Sequence, residues 1–153
     1  MKKYMIMVLV TGFIALIPIG IFSVDSNVSK EKIRSLLTAW NSSLQSSDPE
    51  KVAVNYADDA ILLPTMSNKI RHNHEEIKDY FKHFLKSKIV EHVDEENIRV
   101  YGDIAINSGR YTFNIAKNGK PEQIKARFTF VYRKVGDKWL IIEHHSSVLP
   151  EKE

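Results

Sequence analysis

The sequence predicts an α+β fold in which a helical N-terminal half is followed by an antiparallel meander of four strands. Three observations carry that expectation. Apolar residues recur at helical spacing within 33–44 and again within 77–85. From about Val90 onward the hydrophobic period changes to two, and Gly102-Asp103, Asn118-Gly119 and Gly136-Asp137 punctuate the second half as turns. The 153 residues fit one domain, and a hydrophobic fraction of 43% with 27% charged residues excludes a disordered chain.

The first segment stands apart from the fold. Lys2 and Lys3 form a basic region ahead of residues 5–22, which carry no charge. Pro18 and Gly20 weaken a continuous helix, and Val24-Asp25-Ser26 offers small residues to a signal peptidase. Residues 1–26 are therefore expected to be a signal peptide cleaved after Ser26, leaving a domain over 27–153. The alternative is an uncleaved anchor, because the run also reaches the short limit of a membrane span. Either way the domain is periplasmic or secreted, and it meets a membrane only if the segment stays attached. The chain has no cysteine, which excludes a disulfide framework, a thiol nucleophile and lipid attachment through an N-terminal thiol. Losing Lys2, Lys3 and Asp25 lowers the formal charge from +3 to +2, too balanced for a nucleic-acid partner.

The elements follow in order. Ile33, Leu36, Leu37, Trp40 and Leu44 share one helical face, with Ser29 as N-cap. Asp48-Pro49 starts a second, short helix whose buried side is Val52, Ala53, Tyr56 and Ala57; Asp58-Asp59 then point apart into solvent. Residues 60–63 form a strand closed by Pro64, and residues 65–72 a polar loop. Asn73 with Glu76 matches a capping box ahead of a helix carrying Ile77, Tyr80, Phe81, Phe84 and Leu85. Strands are expected over 91–101, 104–116, 123–134 and 138–147. The last of these, with Trp139-Leu140-Ile141-Ile142, is apolar on both faces. An antiparallel sheet with helices on one side should leave its other face polar. The sheet is therefore expected to curl strongly, and another subunit to cover its outer face.

The segments Leu62-Leu63-Pro64-Thr65, Asp79-Tyr80-Phe81, Gly109-Arg110-Tyr111-Thr112-Phe113, Ala126 to Tyr132, and above all His144-His145-Ser146-Ser147 ahead of Leu149-Pro150-Glu151 resemble bacterial relatives of the calcium/calmodulin-dependent protein kinase II association domain. That family lies in the nuclear-transport-factor-2-like superfamily, with SnoaL-like polyketide cyclases and ketosteroid isomerase. The resemblance implies a cone: a curved antiparallel sheet, cystatin-like, wrapped around N-terminal helices with a pocket between them. It also implies a homodimer or higher homo-oligomer. No kinase activity is expected, since neither a Gly-rich nucleotide loop nor a catalytic Asp loop is present. The related hub pocket is lined by arginines. Arg110 lies near one such position, whereas two others fall at Ser146 and near Phe130, and Arg127 with His145 belongs to the bacterial pattern.

His144 and His145 are adjacent on a strand and face opposite ways, so they cannot chelate one metal together, and His72 and His74 belong to a solvated junction. Neither metal nor cofactor is expected. The inward histidine is a candidate general acid or base, or else a hydrogen-bonded wall residue. Glu143 shares a face with His145, as an orienting partner or in a surface ion pair. Arg127 is either an anion clamp or one half of a salt bridge to Glu143 or to a carboxylate across a dimer. Tyr80, Tyr111 and Tyr132 are either pocket hydroxyls or aromatic core. The expected ligand-binding set is thus Arg110, Arg127, His145, Tyr111 and Tyr132, in an exported, self-associating, non-catalytic domain whose pocket takes a small anionic or apolar molecule. The alternatives are a SnoaL-like cyclase or isomerase with a histidine proton shuttle, which lacks an assignable carboxylate base, and a partner-binding or immunity-type protein.

Overall fold

The structure, a computed structural model, describes residues 29–87, 89–117 and 120–150. The expected signal peptide or anchor and the Asn118-Gly119 turn lie outside them. The element order is α1 (Lys30–Leu44), α2 (Pro49–Ala53), β1 (Tyr56–Leu63), α3 (His74–Phe84), β2 (Ile89–Tyr101), β3 (Ile104–Lys117), β4 (Lys120–Val135) and β5 (Lys138–Val148). The caps form as the residue types dictate. Ser29 accepts from the Lys32 amide at 3.2 Å, the Asp48 carboxylate accepts from Glu50 N–H at 3.0 Å, and Asn73 accepts from Glu76 N–H at 2.9 Å. Glu76 reaches back to the His72 amide at 3.0 Å, one residue further than a standard capping box.

All the strands join one curved sheet in the order β1-β5-β4-β3-β2. The expected meander supplies β2 to β5, and β1 adds to it parallel to β5. The second helix is shorter than its apolar pattern suggests. Tyr56 and Ala57 are buried as strand residues, because Tyr56 already pairs with Ile141 and the Asn55 carbonyl accepts from Ile141 N–H at 2.8 Å. Asp58 and Asp59 are both exposed, as expected, and Asp59 forms a surface ion pair in which both its carboxylate oxygens accept from Arg133, at 2.9 and 3.1 Å. Helices α1 and α3 cover the concave face. Ile33, Leu37 and Trp40 from α1 and Ile77 and Phe81 from α3 share one core with Phe128, Phe130 and Ile141.

Two bulges decide which side chains enter that core. In β2 the register shifts between Val93 and Glu95, leaving Asp94 as the extra residue; in β5 Ile142 is extra, since Tyr132 pairs with Ile141 but Val131 with Glu143. A bulge inverts strand parity. Before Ile142 the odd residues Trp139 and Ile141 are buried, and after it the even residues His144 and Ser146 are. Part of the two-faced apolar character of 139–142 is this inversion, although Leu140 and Ile142 remain half-buried on the outside. The bulge at Asp94 needs Gly109 on the facing strand, where an added Cβ would collide with the Glu95 carbonyl. Gly109→Ala is therefore expected to lower the unfolding free energy by about 1–3 kcal/mol, the range for overpacking, as read from urea denaturation. An unchanged midpoint would remove Gly109 from this role.

Candidate functional site

The centre of the concave face is a buried hydrogen-bond chain. The Trp40 indole, which can only donate, gives its N–H to the Tyr56 hydroxyl at 3.0 Å. Tyr56 therefore uses its own proton on His144 Nδ1, 2.8 Å away. This assigns His144 as the neutral tautomer with its proton on Nε2. The ring stacks on Phe130 at 3.9 Å between centroids and meets Trp40 edge-on at 5.3 Å. Burial, with a smaller contribution from the neighbouring His145, pushes its pKa down to about 3. His144 Nε2 is buried and has no hydrogen-bond partner. A second polar group lies two residues on. Tyr111 donates to Ser146 Oγ at 2.5 Å, and the Thr65 hydroxyl also bonds Ser146.

Both groups line a narrow inner chamber with Trp40, Tyr80, Phe81, Phe84 and Phe113. Outside it lies a cavity of ≈ 400 Å³ bounded by Met66, Ser67, Arg71, Tyr80, His83, Phe84, Ile89 and Ile115. Tyr80 and Phe84 belong to both linings, so the outer cavity adjoins the inner chamber. Arg71 is held by a two-way backbone pairing with Leu62 at 2.9 Å, and its guanidinium sits 5.4 Å from the Tyr80 ring centroid. It donates to Ser67 Oγ at 3.3 Å and to the Lys69 carbonyl; among the described residues no carboxylate pairs with it. The arrangement offers an aromatic-lined entrance with a cation on its wall and, inside, one N–H donor without an acceptor.

The residues expected to bind ligand do not form one site. Tyr111 and Tyr132 are buried on the inner face, both with pKa raised by burial, and Tyr132 Oη has no partner. Arg110, Arg127 and His145 are exposed on the outer face. Arg110 lies directly opposite Arg127 across the ladder and pairs with Glu95 at 3.0 Å. Arg127 has no ion pair among the described residues, so a salt bridge to Glu143 within the chain does not form. The histidine assignment turns on the bulge: counting inward from Trp139 and Ile141 selects His145, and the extra residue Ile142 delivers His144 instead.

Several groups of the interior are not anticipated by sequence. Trp40 and Tyr56 read as core, and Arg71 falls in a polar loop. Glu91 reads as outward when parity is counted from Ile98, yet the bulge at Asp94 turns it inward, where it is 5% exposed. Its alternation with Ile89 on the near side of the bulge is the signal that identifies it.

The His144 protonation state has a measurable consequence. The folded domain refuses a proton that the unfolded chain accepts near the ordinary value of 6.5, so stability is full above that pH and is lost as pH falls toward 3. Relative to His144→Gln, which keeps an acceptor for Tyr56, the wild type is expected to lose about 1.4 kcal/mol per pH unit across this window. Urea unfolding of both proteins from pH 7 to pH 3.5 measures the difference, and parallel curves would refute the assignment.

Residues 29–150 match the family model of the calcium/calmodulin dependent protein kinase II association domain. A Xanthomonas campestris protein assigned to that association domain is similar in solved structure, with 42% identity and a TM-score of 0.78 over 84% of this chain and 93% of that one. A nuclear transport factor 2 superfamily protein from Salmonella enterica shares the fold at 18% identity, TM-score 0.71, covering 80% and 92% of the two chains. So does a protein with a cystatin-like fold from Novosphingobium aromaticivorans, at 13% identity, TM-score 0.69, and coverages of 80% and 82%. No curated protein matches the chain.

Proposed function

Because the chain belongs to the calcium/calmodulin-dependent protein kinase II association domain family, we propose that it is an exported, self-associating domain whose pocket holds a small, largely apolar ligand bearing an anionic or carbonyl group, without transforming it. The observation that carries the reading is the outer cavity of ≈ 400 Å³, with Tyr80, Phe84, Ile89 and Ile115 on its walls and the Arg71 guanidinium beside them. Apolar and aromatic walls favour an apolar body, and the Arg71 guanidinium favours an anionic or carbonyl acceptor on it. The alternative of cyclase or isomerase chemistry with a histidine shuttle is disfavoured at this residue. His144 Nε2 already carries a proton, Nδ1 is occupied by Tyr56, and burial opposes a second proton.

Self-association is supported by the outer face of the sheet. Half-buried Ile106, Val131, Leu140 and Ile142 lie there beside the opposed, like-charged Arg110 and Arg127, an arrangement that an acidic group from a second copy would relieve. Glu143, on the same face, is the acidic group we assign to Arg127 across the interface. Export rests on the charge and hydropathy pattern of residues 1–26.

4-Phenylbutyrate, an apolar anion of suitable size, is expected to bind the wild type, and Arg71→Ala to weaken it by roughly 10-fold or more, as losing a charge-assisted hydrogen bond does. Calorimetry showing no binding, or equal binding by the variant, would count against the pocket. Protein recovered outside the cytoplasm is expected to begin at Asn27 by intact mass and to sediment as a dimer or larger. Arg127→Glu should shift it toward monomer and Arg127→Glu with Glu143→Arg should restore it; a wild-type monomer at micromolar concentration would overturn the association.

A further inference from the structure

Glu91 is the one buried carboxyl of the described interior whose two side-chain oxygens both lack a hydrogen-bond partner. The Asn41 side chain on α1 donates at 3.2 Å to the Glu91 backbone carbonyl and leaves the carboxyl unserved. Among the described residues no cation reaches it. Arg34 of α1 is engaged by Glu96 and Glu31, and Arg110 of β3 by Glu95. The titratable groups that act on it or feel it are Asp94 on its own strand and the phenols Tyr111 of β3 and Tyr132 of β4; α3 contributes Phe84, packed on Phe113. Burial, reinforced by Asp94, raises the Glu91 pKa to about 8.

Its position gives this acid a mechanical role. β2 is an edge strand, laddered on one side only, by β3. Two residues before Glu91 on the same face, Ile89 forms part of the outer cavity wall, and opposite Glu91 in the ladder stands Phe113 of the inner chamber. Just beyond lies the bulge at Asp94, where the ladder is already interrupted. A short stretch bounded by a bulge and held from one side opens more readily than the whole domain unfolds.

We propose that Glu91 is a proton-operated latch on the pocket wall: protonated, it lets residues 89–93 of β2 close against α1 and β3, and ionised, it releases them and opens the pocket. The role assigned to the opening rests on the pocket reading above. The direction follows from proton linkage. The closed state keeps its proton up to about pH 8, whereas a released, solvated Glu91 gives it up near 4.5. Between those values the open population rises about tenfold per pH unit. The ionised side chain, once closed in, has no donor to replace the water it loses.

Amide hydrogen exchange of the mature domain at pH 5.5, 6.5 and 7.5, corrected for the intrinsic pH dependence of exchange, tests this. Amides of residues 89–93 are expected to lose protection about tenfold per pH unit beyond any change at 128–132 of β4. Glu91→Gln, which is uncharged and nearly isosteric, should abolish that dependence. Protection in 89–93 that is independent of pH in the wild type, an equal slope in Glu91→Gln, or an equal slope throughout the sheet would each overturn the latch. Titration of 4-phenylbutyrate into the wild type at pH 8.5, where the latch is most open, separates the two readings. Absent binding there with the exchange slope intact removes the pocket reading alone, and binding without the slope removes the latch alone.

Discussion

The interior of this domain is organised by the hydrogen bonds that run from Trp40 through Tyr56 to His144. They join α1, β1 and β5, elements far apart in sequence, and they do so with donors and acceptors whose order is forced. An indole cannot accept, so the phenol must, and the phenol's proton then has only the imidazole to go to. That order fixes the tautomer of His144, keeps the ring neutral, and leaves one N–H without an acceptor. Stacking on Phe130 and edge contact with Trp40 hold the ring plane. The chemical character of the chamber, a donor in an aromatic enclosure, follows from that chain.

The chain exists because β5 carries an extra residue at Ile142. Without the bulge, His145 would face the helices and His144 the outside. The second bulge, at Asp94, has the same consequence for β2, turning a glutamate inward at the edge of the sheet. Each bulge thus brings a titratable side chain into the core, and burial drives the two in opposite senses: His144 loses its affinity for a second proton, and Glu91 clings to its only one. The interior is uncharged through both effects. Arg71 stands outside it at the entrance, where its guanidinium keeps access to the outer cavity while lying against Tyr80.

The division between the faces also separates two roles. Arg110, Arg127 and His145 belong to the convex surface, the face we propose for association, while among the described residues the outer cavity draws its arginine, Arg71, from the loop between β1 and α3. The arginine-lined pocket that the family resemblance implies is therefore not reproduced position by position. Ser146, at the place of one hub arginine, is instead satisfied internally by Tyr111 and Thr65.

The α+β class, the helix caps at Ser29, Asp48 and Asn73, the turns at Gly102 and Gly136, and the four meander strands near their observed bounds are legible in the residues alone. These are local: a cap needs one side chain and the amide two or three residues on, and a turn needs a residue that tolerates positive φ. The family, too, was legible, in the text around His144 to Glu151. Three-dimensional packing was needed to establish which of two adjacent histidines is inside, that Tyr56 belongs to a strand, and that Glu91 is buried. Strand parity is a sound guide until a residue is added, and whether one is added depends on how neighbouring strands register and curve, which lies in no single segment. The candidate site sits where periodicity breaks, so a reading built on periodicity recovers the walls and misassigns the polar groups they enclose.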